Sequence, residues 1–341
     1  MVTIKDVAKA AGVAVSTASY ALNGSSKVSE KTRKKVMEIA EDMKYVPNTF
    51  AQNLKKTKTT KLIALIVYDL NSPYYDKVTK GIQDVAFLFG YSVIIFCEYN
   101  FGRDGSYNFL KEGIVDGAII VGSSLTNDDI VNLSNEGLPL VLLDRKIEQS
   151  DICSVLINNK RGASEAVEYL ISLGHKKIGF ISGKENSYDN VGRTRGYIET
   201  LTKNGFKINK NYILQGGFTE KSGYDVMREF LNSSDDIPTA FFSANDEMLI
   251  GAMRAVHEKG LKVPEDIAFV GFDDIQAATY VRPKLTTIKS PIYEIGSFSG
   301  HMLFNLIKGR VNGSSITLDT ELVVRESSGG KKADNKKYNI S

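Results

Sequence analysis

The chain has 341 residues and little of what metal sites, disulfide scaffolds and membranes require. Its two cysteines, Cys97 and Cys153, lie far apart, each inside an apolar run. Buried, inert thiols are expected there rather than a disulfide. The three histidines, His175, His257 and His301, are dispersed and none neighbours a cysteine, so a zinc site lacks ligands. No apolar run reaches the roughly eighteen residues of a transmembrane helix, and no membrane contact is expected. The opening MVTIKDVAKAAG carries Asp6 and no long apolar stretch. No secretory signal is expected, and the cytoplasm is the expected compartment. The phosphate-binding loop, the dinucleotide fingerprint, the serine-hydrolase elbow and the metalloprotease motif are all missing. The acid pairs Asp128/Asp129 and Asp273/Asp274 have no nucleophile near them in sequence. A non-enzymatic protein without cofactor or metal is the expectation.

What is present is a segregation of charge. The whole chain has a formal net charge of +3. Residues 1–61 hold twelve Lys and Arg against five acids, a net +7, and the rest is left with −4. A basic N-terminal module on an acidic body points to a polyanionic partner, nucleic acid above all, although a basic helix also suits a membrane surface.

The length exceeds one ordinary hydrophobic core and implies two to three domains. Residues 1–45 read as three short helices. Thr3 is placed to cap the first, with Asp6 three residues on and Ile4, Val7, Ala8 and Ala11 at helical spacing, and Gly12 ends it. A second helix over 15–22 ends at Asn23-Gly24. Ser29 caps a third, with Val36, Ile39, Ala40 and Met43 on one face. Two short helices joined by a tight turn outline a helix-turn-helix. Residues 46–61 read as a polar, basic linker. Beyond it come apolar β-rich runs at 62–68, 91–97, 117–121, 140–143, 155–157, 178–181, 240–242 and 267–270, separated mostly by amphipathic helical segments. One of these starts at Pro73, with Val78, Ile82, Val85 and Phe89 on one face. Apolar strands alternating with helices predict parallel sheets covered on both sides, and the strand count predicts two of them. The polar tail, 329–341, is expected to be disordered.

The opening TIKDVAKAAGVAVSTASYALNGSSKVSEKTRKKVMEIAEDMKYVPN closely resembles the headpiece of the lactose-repressor/galactose-repressor (LacI–GalR) family of transcription regulators. Further landmarks follow in family order: Asn71-Ser72-Pro73-Tyr74-Tyr75, Val115-Asp116-Gly117, Leu143-Asp144-Arg145, Leu173-Gly174-His175, Arg193 before Gly196-Tyr197, Asn245-Asp246 and Val270-Gly271-Phe272-Asp273-Asp274. Each motif is weak alone; the ordered set, spanning about 2–328, is specific.

The resemblance implies a small all-α helix-turn-helix headpiece (1–48), a hinge helix and linker (49–60), and an α/β core (61–328). That core would be two doubly wound parallel-sheet subdomains of the periplasmic-binding-protein type I kind. Three crossovers would place the N-subdomain at about 61–157 plus 290–318 and the C-subdomain at about 158–289 plus 319–328. It also implies a homodimer on double-stranded operator DNA, controlled by a small molecule, expected to be a sugar, bound between the subdomains. The alternatives are a catabolite regulator of the same family answering to a phosphorylated carrier protein, and a sugar-binding transport protein. The latter has no use for residues 1–60.

By match to the family, Val15 and Ser16 of the second helix set specificity and Tyr20 is the third reader. The family very often has Arg at that third place. Arg grips guanine with two hydrogen bonds; Tyr20 offers one hydroxyl and a ring, so it reads differently or merely packs on the backbone. Ser16, Thr17, Asn23, Ser29 and Thr32 are placed for phosphates, with Ser29 equally a helix cap, and Thr3 is expected among the DNA-binding residues. In the hinge, Asn48, Ala51, Gln52, Leu54 and Lys55 match DNA-contacting positions. Leu54 stands at the family's minor-groove wedge, its bland reading being a cover for the core, and Gln52 replaces a frequent Arg. For the effector, residues that follow strands and can bond hydroxyls or stack on a ring are Asn71, Tyr74, Tyr75, Asp144, Arg145, Arg193, Phe218, Asn245 and Asp273. Each has an ordinary structural reading beside this one: helix cap, surface ion pair or core.

Overall fold

The computed structural model describes residues 2–22, 24–45, 59–68, 70–143, 145–148, 152–185, 187–311 and 313–330. The chain divides into two compact units, 1–60 and 61–341.

In the first unit, α1 (Ile4–Ala11), α2 (Val15–Leu22) and α3 (Glu30–Asp42) fall on the expected segments. The Asp6 carboxylate accepts from the backbone N–H of Thr3 at 2.9 Å and from its hydroxyl at 2.7 Å. These bonds hold its acidity below the usual carboxylate range. Gly12 ends α1 at φ 65°, a left-handed conformation that costs glycine little. The core is made of small side chains: Val7, Ala8, Ala11, Ala18, Ala21, Val36 and Ala40 are buried, while Ile39 and Met43 pack at its edge. So few large groups let three short helices approach closely.

The second unit contains two six-stranded sheets. The first takes β1 (Leu62–Val67), β2 (Ser92–Cys97), β3 (Ala118–Val121), β4 (Leu140–Leu142), β5 (Cys153–Ile157) and β11 (Ser315–Leu318), in the order β11-β5-β4-β3-β1-β2, all parallel. The second takes β6 (Ile178–Ser182), β7 (Ile213–Gln215), β8 (Ala240–Ser243), β9 (Ala268–Asp273), β10 (Thr286–Lys289) and β12 (Glu321–Val323), ordered β12-β10-β9-β8-β6-β7. Only the β10–β12 pair is antiparallel. The chain therefore passes between the sheets three times: after β5, after β10 and after β11. Parallel strands covered on both faces must be apolar throughout, and every residue of β1 is buried.

Four strands escape the hydropathy reading. β11 is an edge strand with exposed side chains. β7 and β12 have three residues each. β10 buries threonines, satisfied by a hydrogen bond between the Thr286 and Ser328 hydroxyls at 2.7 Å and one from Thr287 to the Asp246 carboxylate at 2.6 Å.

The helices are α4 (Tyr74–Leu88), α5 (Gly102–Lys111), α6 (Asn127–Asn135), α7 (Asn159–Ser172), α8 (Tyr188–Lys203), α9 (Glu220–Ser233), α10 (Asp246–Glu258) and α11 (Ile292–Ile307). On α4, Val78, Ile82 and Val85 are buried, and Phe89 just beyond it stacks on Phe304 at 4.4 Å. No helix among the described residues is long and apolar enough to cross a membrane. The expected hinge helix and the last eleven residues, 331–341, lie outside the described residues.

Helices α4 and α11 touch backbone to backbone at two glycines. A Cβ at Gly296 would stand 2.2 Å from the Val78 carbonyl, and one at Gly81 2.3 Å from the Tyr293 carbonyl. Gly296→Ala is predicted to force the pair apart and to destabilise the core by about 1–3 kcal/mol. Urea unfolding reads this directly, and an unchanged midpoint would contradict the contact.

Candidate functional site

Two regions gather the residues singled out above. In the first unit, α2 presents Val15, Ser16 and Tyr20 to solvent, with Thr17 half-buried. Val15 is 43% exposed and Tyr20 42%, which is unusual for a core of small residues that could have used them. The Lys27 ammonium stands 5.3 Å from the Tyr20 ring centroid, so this aromatic face lies beside a cation. Ser29 caps α3, accepting from the Thr32 N–H at 3.3 Å, and its hydroxyl also meets the Thr32 hydroxyl at 2.9 Å. Thr3 is engaged with Asp6. Arg33 donates to the Ser25 carbonyl at 2.9 Å and ties the loop after α2 to α3. The lysines 31, 34 and 35 are exposed along α3. Asn23, Asn48, Ala51, Gln52, Leu54 and Lys55 lie outside the described residues.

In the second unit the carboxyl ends of the two sheets face each other. The Ser72 hydroxyl, after β1, donates to Glu247 at the start of α10 at 2.8 Å. The Lys184 ammonium, after β6, stands 5.0 Å from the centre of the Tyr68 ring. Lys77 reaches the Asp274 carbonyl at 3.5 Å.

The floor of this cleft is organised by Arg193 of α8, which is 3% exposed. Its Nε donates to Asn159 Oδ1 at 2.8 Å, Nη1 to the Ala244 carbonyl, and Nη2 to Asp273 Oδ1 at 3.4 Å. The guanidinium carbon lies 3.8 Å from the centre of the Phe272 ring and 6.0 Å from that of Phe218. A buried cation is tolerable only when its donors are satisfied and a counter-charge is near. Asp273 supplies that charge and also accepts from Ser290 at 3.3 Å. Burial nevertheless pushes its carboxyl up to about 6, with Arg193 pulling down and Asp189 and Glu247 adding to the rise. The Tyr74 hydroxyl belongs to the same cluster. Burial, then Asp189 and Asp273, push it well above the usual phenol range.

Backbone strain concentrates here. Asp273, Asp274 and Phe218 all have positive φ, at 109°, 53° and 69°. Such conformations persist where surrounding contacts fix them, and they cluster at ligand sites. Phe218 is fixed by its carbonyl accepting from Asn245 Nδ2 at 3.0 Å and by its ring lying against Gly183, where a Cβ would come within 2.2 Å. Asn245 in turn caps α10 through the Met248 N–H at 3.0 Å. Its amide thus ties the Phe218 loop, through Nδ2, to the start of α10, through Oδ1.

Other expected residues fall around this floor. Tyr75 is half-buried with its ring edge-on to Tyr74 at 5.6 Å, and Asn71 is exposed. Arg145 donates to the carbonyls of Leu125 and Ser123 at 2.9 and 3.0 Å, bracing the loop after β3. Asp144 lies outside the described residues. Sequence reading missed Asn159, Asp189 and Ser290. Asn159 accepts from Arg193 and donates to Asp189 at 2.7 Å. It also missed two buried acids. Asp246, buried without exposure, receives the Ile275 N–H at 3.0 Å. Glu98 receives Ser106 at 2.5 Å, Ser123 at 2.6 Å and the Ser124 N–H at 2.6 Å. The available signal was position: Glu98 directly follows β2, as Asn159 shortly follows β5. Among the described residues, no group of three or more His, Cys, Asp or Glu side chains is placed to hold a metal ion.

With this geometry in view, comparison with known proteins is informative. Residues 3–48 match bacterial regulatory proteins of the lacI family, and residues 167–328 match a periplasmic binding protein-like domain. Catabolite control protein A of Priestia megaterium is 34% identical over 331 residues, covering 96% of this chain and 99% of that protein. The lac repressor dimer bound to operator and the anti-inducer ONPF superposes with a TM-score of 0.74 at 31% identity, covering 96% and 99% of the two chains. The CelR–cellobiose complex gives 0.73 at 30% identity over 96% and 100%. The chain belongs to the lacI family of bacterial regulatory proteins and is a DNA-binding transcription regulator.

Proposed function

We propose that this regulator is a homodimeric, cytoplasmic repressor whose helix-turn-helix reads a double-stranded operator and whose core binds a sugar between its subdomains. The domain assignment is a headpiece at 1–48, a hinge at 49–60 and a core at 61–328, its N-subdomain at about 61–157 plus 290–318. The observation that carries the effector reading is the buried Arg193–Asp273 pair, walled by Phe218 and Tyr74, between two sheets facing each other at their carboxyl ends. Carboxylates and guanidinium bond hydroxyls as bidentate partners, and an aromatic face covers the apolar face of a pyranose. The cellobiose complex supports a sugar in this class of core.

The floor and the opposite wall belong to different sheets, so a ligand bonding both changes the free energy of their relative rotation. In a dimer this rotation alters the spacing of two headpieces, and the hinge segments order or melt with it. Effector and operator are then coupled through one equilibrium and must affect each other's binding by the same factor. On the DNA side, Val15, Ser16 and Tyr20 read bases, Thr17, Asn23, Ser29, Thr32 and the lysines of α3 hold phosphates, and Thr3 also contacts the DNA. Asn48, Ala51, Gln52, Leu54 and Lys55 complete the contact in the minor groove.

Three outcomes follow. Arg193→Lys keeps the charge facing Asp273 but cannot donate in three directions at once. It is predicted to weaken effector binding by tenfold or more, roughly 1.4 kcal/mol, and to leave effector-free operator binding intact. Normal effector response in this variant would remove the cleft assignment. Two headpieces at +7 each are predicted to give a log–log salt slope for operator binding steeper than about −5. A slope near −1 rules out the footprint. Tyr20→Arg is predicted to shift one symmetric base of each half-site toward guanine by about 1–3 kcal/mol. Selection from random DNA tests this, and an unchanged consensus would mean that Tyr20 only packs.

A further inference from the structure

We propose that the cleft selects an uncharged, hydroxyl-rich effector and rejects the uronates and phosphate esters of the same sugars, because its floor sets two carboxylates against one guanidinium. The inference rests on the reading of this cleft as the effector site and narrows the class of ligand.

The floor is a single hydrogen-bonded chain. Asp189 accepts from Asn159 at 2.7 Å, Asn159 accepts from Arg193 at 2.8 Å, Arg193 donates to Asp273 at 3.4 Å, and Ser290 donates to Asp273 at 3.3 Å. Arg193 is the one cation of this chain. Each of its three guanidinium nitrogens already donates within the protein, leaving one further N–H on each of Nη1 and Nη2 for a hydroxyl, and its charge faces Asp273. The bond to Asp189 comes from a neutral amide, so within the chain nothing offsets that second negative charge. Glu247 adds a third carboxylate to the neighbourhood, accepting from the Ser72 hydroxyl at 2.8 Å.

Two groups here feel burial first and these charges second. Asp273 resists ionisation up to about 6, burial being the largest cause, with Asp189 and Glu247 contributing. Tyr74 is pushed further from ionisation, burial first and then Asp189 and Asp273. A site that already disfavours its own negative charges disfavours a ligand's as well. Other cations stand nearby but are turned to other partners: Arg145 to the Leu125 and Ser123 carbonyls, Lys77 to the Asp274 carbonyl, Lys184 to the Tyr68 ring. A neutral polyol meets no such penalty. Its hydroxyls donate to Asp189 and Asp273, and its ring faces Phe218.

Two like charges about 6 Å apart at an effective dielectric of about 20 repel by enough to change affinity roughly a hundredfold. Arg193 cuts this down, and a gap of at least about tenfold is expected. The test is calorimetric titration of the full chain with glucose, galactose, mannose and ribose, each beside its phosphate ester, and the hexoses also beside their uronates. For every neutral sugar that binds, the anionic counterpart is expected to bind at least about tenfold more weakly at low salt. Added salt narrows that gap, as does Asp189→Asn, which retains the oxygen that Asn159 bonds. An anionic member binding as well as its neutral partner overturns the inference. A gap indifferent to both salt and Asp189→Asn is steric and overturns it too. If no member of any set binds, the sugar reading itself fails and takes this inference with it.

Discussion

A guanidinium with 3% exposure constrains the whole C-terminal half of this protein. Removing such a charge from water costs several kcal/mol after relaxation, and an unpaired one is not tolerated. Arg193 is satisfied by groups from separate parts of the chain: Asn159 at the start of α7, the Ala244 carbonyl after β8, Asp273 at the end of β9 and the ring of Phe272 beneath. These meet only when β8 and β9 lie side by side in register, α7 covers them and α8 packs along α7. The arrangement is an expensive way to fill space; an apolar core would be as stable. Such a cluster suits a preorganised binding surface, since the guanidinium has two N–H donors beyond the three bonds it makes here.

The topology explains why the chemistry gathers where it does. In a parallel sheet every strand delivers its following loop to the same edge. The chain passes three times between two such sheets, so the two carboxyl edges confront each other, and Ser72–Glu247 and Tyr68–Lys184 bridge the gap. On the opposite wall Glu98 takes four donors, two of them from Ser124 at 2.6 and 2.8 Å. Arg103 and Asp129 pair at 2.5 Å beside it. That network holds the loop after β3, which Arg145 also braces, so both walls are rigid where a ligand would touch them. Rigid walls joined by three strands of chain suit a hinge better than a deformable pocket does.

Much of this was legible from residue patterns, and the exceptions have physical causes. The helices of the first unit were readable because each carries its own punctuation: Thr3 with Asp6, Gly12, and Ser29 with Thr32. The strands β1, β3 to β6, β8 and β9 were readable because double-sided burial demands unbroken apolar runs, and the half-buried edge strand β2 because it is apolar nonetheless. β10 was not, because it buries Thr286 and Thr287 on hydrogen bonds rather than on hydropathy. β11 was not, because it is an exposed edge. In the cleft, Arg193, Asp273 and Tyr74, which lie in family landmarks, and Phe218, singled out as an aromatic after a strand, meet in one cluster. Asn159 and Asp189 were invisible for a different reason. Their role is defined by bonds to residues thirty or more positions away, and a lone Asn or Asp after a strand looks like any helix cap. Asn245 shows the converse, a residue singled out for ligand contact whose amide visibly caps α10 and secures the Phe218 loop.

The central claim is that a ligand is gripped by both sheets at once, at their carboxyl ends. Hydrogen exchange measured with and without the neutral sugar that binds most tightly tests it most directly. The account predicts protection on both walls together: at the loop after β3 and residues 71–75 on one side, and at Gly183, Phe218, Met248 and Ile275 on the other. Protection confined to one wall, or on the outer helices with these amides unchanged, would contradict it.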